Sequence, residues 1–266
     1  MTGTSRSPWP RRSVRETQAA SRHSLFVETT LTYMAQHHPV DYGLLDQAGA
    51  ASFVEGVIEH ASALDVTDRW AWTRLFDLHV LLGFTFMDDP QLAAVLRPAK
   101  AERGNGVVRL LWTKTLDYLD VIAGNNGNRY LRALHRADKH PSLMLSGVRW
   151  HSADEALATL EHIHPEKYTH IRAIDPSFVT SLFNAARAQL AKAGFMDGVA
   201  PIYVVLMFLL GTGFAQDPRY AWARQSLNQG PAYAFESLTQ GARNALVVAL
   251  DRMRRTTIGK QDGLLL

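Results

Sequence analysis

Cysteine is absent from the 266 residues. That excludes disulfide scaffolds, thiolate metal sites and cysteine nucleophiles. A membrane-spanning run is missing as well. The longest uncharged stretch, residues 199–216, contains Pro201, Gly211 and Gly213. Its apolar centre is about ten residues, against the roughly 20 that cross a bilayer, so it reads as a core helix and no transmembrane segment is expected. Strong charge of one sign is also lacking. The net charge of +3 arises near the start, where Arg6, Arg11, Arg12, Arg15 and Arg22 face one acid, Glu16, and the remainder is close to neutral. A nucleic-acid-binding body carries a basic face of its own, and this one gives no such sign. No apolar segment follows Arg11-Arg12, which argues against a twin-arginine signal and leaves the cytoplasm as the expected location.

Several catalytic signatures are missing too. Ser146-Gly147 lacks the Gly-x-Ser-x-Gly elbow. The glycine-rich stretches at Gly104 and Gly124 lack the Lys-Ser/Thr ending of a phosphate loop, and Glu59-His60 is not part of a His-Glu-x-x-His zinc motif. No paired Glu-x-x-His helices suggest a di-iron bundle.

What the chain does contain is a frame that occurs twice, Leu-Leu-Gly-x-x-Phe-x-x-Asp-Pro, at Leu81–Pro90 and Leu209–Pro218. The two copies keep a constant offset of 128 residues (Gly83 to Gly211). Each follows an apolar helical run, and the second run, Ile202 to Leu210, is apolar all round, as in a helix enclosed on every side. Glycine ends the helix by reaching positive φ. The phenylalanine three residues later tucks back over the helix end. Asp-Pro opens the next helix, with aspartate capping free N–H groups and proline at the first helical position. The frame is therefore a helix–corner–helix joint.

Around it the chain reads as all-α, with two stacked, duplicated units of about four helices each, since one such unit leaves apolar faces that a second covers. Residues 1–23, rich in Ser, Arg and Pro, read as a disordered basic leader. Residues 24–123 form the first unit, with helices from Ser24, over Phe53–Leu64 capped by Ser52, over Trp70–Leu82, from Pro90 to Arg97 and over Val107–Ile122. The last of these turns Val108, Leu111, Trp112, Leu116 and Leu119 inward, and Trp70, Trp72 and Trp112 read as core. Residues 124–174 form a mixed connecting region, with an extended segment at Leu143–Trp150 and a capping box at Ser152–Glu155. Residues 175–258 repeat the pattern and 259–266 are a tail, giving one compact domain from 24 to 258.

Two groups of residues are candidates for a site. His162, His164 and His170 are the weak metal candidates; His162 and His164 lie two apart, point away from each other on a helix and meet Pro165. His79, in the buried helix, reads as a core histidine satisfied by a hydrogen bond. Asp217, Arg219, Tyr220 and Arg224 follow the second corner, and Tyr and Arg are enriched at interface hot spots, so these four are the candidate partner-binding residues. Trp222 reads as pointing inward. The run Gly211-x-x-Phe214-x-x-Asp217-Pro218-x-Tyr220-x-Trp222 resembles a pattern in helical accessory proteins encoded beside type VI secretion genes. The first copy departs from it, having neither Tyr nor Trp. The resemblance implies a bacterial protein that binds an effector, toxin or secretion component without catalysis. The expectation is thus a non-enzymatic, accessory or immunity-type protein-binding module with no cofactor. The alternative is a metal- or histidine-dependent enzyme with a site between the two halves.

Overall fold

A computed structural model describes residues 14–140, 152–195, 199–229 and 236–245. Among these residues every regular element is helical and no strand occurs, so the all-α expectation holds. The first half holds α1 (Val14–His37), α2 (Pro39–Tyr42), α3 (Gln47–Ala63), α4 (Arg69–Leu82), α5 (Ala93–Ala101) and α6 (Asn105–Ile122). The second holds α7 (Asn128–Asp138), α8 (Ala153–Ile163), α9 (Pro165–Ile174), α10 (Phe178–Lys192), α11 (Ala200–Leu210) and α12 (Ala221–Asn228), with residues 236–245 also helical.

Local chemistry moves some of the expected boundaries. Helix α1 begins at Val14, so residues 14–23, assigned to the leader, are helical; residues 1–13, Leu143–Trp150 and 259–266 lie outside the described residues. Asp46, not Ser52, caps α3, accepting from the N–H of Gly49 at 2.6 Å. Ser52 is one turn inside that helix. Ser152 does sit at the N-cap of α8, but its side chain makes no capping bond.

Among the described residues three apolar clusters follow from the helix faces, two in the first half and one in the second. In the first half Phe53, Val54, Val57 and Phe76 close on Met34 of α1, and Leu75 and Leu78 of α4 meet Val107 and Leu111 of α6. In the second, α11 is buried from Ala200 to Leu209, which explains its lack of a polar face. Helices α7, α8 and α9, in the expected connecting region, add Leu134, Leu160, Ile163 and Ile171 to the same core as Phe178, Leu206 and Phe214. Two inward assignments fail. Leu116 is 45% exposed, and Trp70 is 41% exposed with Arg109 over its ring. Trp72 and Trp112 are half-buried, the latter under Arg74.

The two corners face each other across the middle of the molecule. Gly83 (φ 109°) and Gly211 (φ 103°) end α4 and α11 in the left-handed region that glycine tolerates. Asp89 and Asp217 each cap their own 3-10 turn, accepting from the N–H of Gln91 (2.9 Å) and of Arg219 (3.0 Å). Each also reaches the opposite corner. Asp217 accepts from the N–H of Phe84 at 2.9 Å, and Asp89 accepts from the N–H of Thr212 at 2.9 Å. The side chains two residues on cross over as well. Arg219 Nη2 donates to the carbonyl of His79 (3.4 Å) and Gln91 Nε2 to that of Met207 (2.8 Å), each a carbonyl of the last helical turn that also accepts from the corner glycine, Gly83 (3.2 Å) or Gly211 (3.1 Å). Every one of these crossed bonds has its counterpart at the 128-residue offset.

Space at the meeting point is limited. Thr85 and Gly213 occupy matching positions, and a Cβ on Gly213 would lie 2.0 Å from Thr85 Oγ1. Gly213 has φ −99°, which any residue adopts, so it is glycine because of room and not backbone strain. Gly213→Ala is expected to lower stability by about 1–3 kcal/mol through overpacking. Adding Thr85→Gly should recover part of the loss. Urea denaturation of the two variants checks this, and an unchanged midpoint for Gly213→Ala would refute the close approach.

Candidate functional site

The corners hold an ionic cluster, and beside it a cavity that Arg219 and Tyr220 also line. Arg219, 3% exposed, pairs with Asp217 (2.6 Å) and with Asp41 of α2 (2.8 Å), and donates to the carbonyls of Val80 and His79. Its guanidinium also lies over the Phe53 ring at 5.5 Å. Burial opposes charge on both partners, yet the attraction wins: Asp217 stays below the ordinary carboxylate range beside Arg219, and Arg219 is held well above its usual value by Asp217. Three elements distant in sequence are thereby tied together.

The first corner has glutamine where the second has arginine, and the difference leaves room. Gln91 is too short to serve more than one carbonyl at the end of α11. Lys167 of α9 donates to the carbonyl of Phe208, and the Tyr130 hydroxyl donates to that of Leu209 at 3.3 Å. These three side chains border a cavity of about 400 Å³ between the halves, a size common for small-molecule sites. Leu81, Leu82, Leu116, Leu119, Leu209 and Leu210 contribute to its apolar wall. Leu81 and Leu116 are each 45% exposed and mark its mouth. Leu116, turned out of the core, is thus a lining residue of the cavity.

Buried polar groups converge on this cavity. Lys167 is fully buried, and burial pushes its pKa down to about 8, with Asp89 partly offsetting the effect. Its ammonium lies 5.0 Å from the centre of the Phe208 ring. Burial, with Asp89 and Tyr130, raises Tyr118 far above the ordinary phenol value, so its hydroxyl stays protonated. Gln91 Oε1 is buried without a hydrogen-bond partner.

The expected site residues fall elsewhere. Asp217, Arg219 and Tyr220, expected at a partner surface, are buried: Asp217 and Arg219 are held by the crossed bonds and the ionic cluster, and Arg219 and Tyr220 line the cavity. Only Arg224 of the four is exposed, donating to the carbonyl of Gln216 at 3.2 Å. Trp222 is half-buried and stands where a Cβ on Gly241 would fall. Among His162, His164 and His170 there is no convergence. His164 is buried and caps α9, accepting from the N–H of Lys167 at 3.3 Å. His162 is exposed near His140, and His170 rests on Tyr118. Among the described residues no group of three His, Asp or Glu could hold a metal. His79 is fully buried between His60 (3.1 Å) and the Phe84 carbonyl (3.0 Å). A carbonyl only accepts, so Nδ1 carries the proton and Nε2 accepts from His60. The sequence offered no signal for the cavity lysine, which sits among ordinary surface residues of α9.

Comparison with protein-family models, with curated proteins and with solved structures found no match for this chain.

Two predictions follow from these groups. Burial, reinforced by His60, lowers the pKa of His79 to about 3 from the ordinary 6.5. Between those values the unfolded chain holds more protons than the folded one, so stability falls as pH drops from 6.5 towards 3. At pH 5 the loss from His79 alone should be about 2 kcal/mol, and His79→Asn should flatten the curve of urea midpoint against pH; a parallel curve would refute this. Arg219→Met leaves Asp41 and Asp217 buried without their cation and should cost about 3–5 kcal/mol. Gln91→Leu, which removes a neutral group, should cost less, about 1–3 kcal/mol, and equal losses would overturn the assignment of Arg219 as the central tie.

Proposed function

We propose that this chain is a non-enzymatic helical binding module whose ligand is a small, largely apolar molecule seated in the cavity between the two corners. The observation that carries the reading is the cavity itself: leucine walls and an exposed leucine mouth lead to buried polar side chains, one of which has an unused acceptor. The crossed bonds at a fixed 128-residue offset support a duplicated helical unit as the origin of the two halves. The resemblance of the second corner to accessory proteins beside type VI secretion genes adds a bacterial, cytoplasmic setting and a protein partner, an effector, toxin or secretion component. Such a partner would meet the outer surface, where Arg224 remains, and not the buried Asp217, Arg219 and Tyr220. The histidine-dependent alternative loses its support because the three histidines occupy separate surroundings. Among the described residues no helix is long and apolar enough to cross a membrane.

The test uses an environment-sensitive apolar dye. Wild-type protein should bind it saturably, one to one, with blue-shifted emission. Leu116→Trp, which fills the mouth from an exposed position, should abolish binding while leaving the helical circular dichroism unchanged. Equal dye binding by the folded variant would overturn the reading.

A further inference from the structure

The polar end of the cavity specifies more than an apolar guest. Gln91 Nε2 faces two oxygens, the Met207 carbonyl at 2.8 Å and Asp89 Oδ2 at 3.3 Å. Both can only accept, which fixes the amide orientation and leaves Oε1 as the unmatched atom. Gln91 is 4% exposed and lines the cavity, and Oε1 itself is closed to water and without a partner, so a guest reaches it through a small shift of the side chain; a buried unmatched acceptor is costly. Lys167 presents the complementary demand. An ammonium has three donors; one is spent on the Phe208 carbonyl, and no carboxylate among the described residues forms an ion pair with it. The polar end therefore calls for a group that donates one hydrogen bond and accepts another.

Charge narrows the choice further. The ionic side chains that line the cavity are Asp89 and, at the exposed rim, Asp120 against Lys167 and Arg219, an even balance. A carboxylate guest would meet Asp89 and a cationic guest Lys167, and either would upset that balance. Burying charge without a partner is unfavourable in either case. Asp89 is nearly spent as an acceptor, because the N–H groups of Gln91 and Thr212 and the Gln91 amide take three of its roughly four lone-pair sites.

We infer that the cavity binds a neutral amphiphile with an amide head, whose N–H donates to Gln91 Oε1, whose carbonyl accepts from Lys167, and whose alkyl chain lies along Leu81, Leu116 and Leu119 towards the mouth. The Tyr118 hydroxyl, which also lines the cavity, stands as a further donor to the head. This assignment rests on the cavity being a ligand site, as proposed above.

Isothermal titration of the full chain with octanamide, methyl octanoate, octanoate and octylamine tests it. Octanamide should bind about tenfold more tightly than methyl octanoate, which keeps the carbonyl but lacks the donor. It should exceed octanoate and octylamine by at least that factor. In Gln91→Leu the margin of the amide over the ester should vanish. Binding of the ester or of either ion as tightly as the amide, competing with the dye, would overturn the amide assignment while leaving the cavity as a ligand site. An amide margin that survives in folded Gln91→Leu would overturn it too. If no probe bound and none displaced the dye, the amide assignment would fall; if the dye itself bound Leu116→Trp as it binds wild type, the cavity reading would fall with it.

Discussion

Two aspartates, each bonded to its own turn and to the backbone of the other corner, are the constraint on which this molecule depends. Asp89 and Asp217 join residues more than a hundred positions apart in sequence, and they do so at the points where α4 and α11 stop. A helix end leaves backbone groups without partners. Here the ends of two buried helices meet, so water cannot satisfy those groups, and each half completes the other. The price is rigidity: Gly213 must stay small because Thr85 fills its place, and both corner glycines must hold positive φ.

From this joint the asymmetry of the molecule follows. Arg219 gathers Asp41, Asp217 and the end of α4 into a closed cluster. Its counterpart Gln91 is shorter and neutral, so two more side chains, Lys167 and Tyr130, complete the end of α11. Side chains arriving from different helices do not fill space as one arginine does, and a cavity remains. A single difference between two similar corners thus makes one a structural tie and leaves the other short of donors beside the pocket that both corners line.

The comparison with the sequence reading shows where pattern suffices. The helical corners, the capping aspartates, the buried phenylalanines and the fully enclosed α11 were all legible, because each depends on neighbours within a few residues. The candidate partner residues went astray for the same reason. Asp217, Arg219 and Tyr220 look like an interface cluster when only their types are considered. Their partners, Asp41, Val80 and Phe84, are far away in the chain, and nothing local announces that a charged run is buried. Leu116 was placed inward by its periodicity; it does stand on an apolar surface, but that surface belongs to the cavity mouth.

The sequence by itself determined an all-helical chain with two matching corners, since glycine, proline and aspartate act on the backbone beside them. Only the tertiary structure decided that the corners interlock, that the aromatic-polar run is interior, and that Lys167, Gln91 and Tyr118 share one cavity. Those outcomes depend on which helix ends meet and on whether an arginine or a glutamine reaches across, and distance in space is not written in distance along the chain.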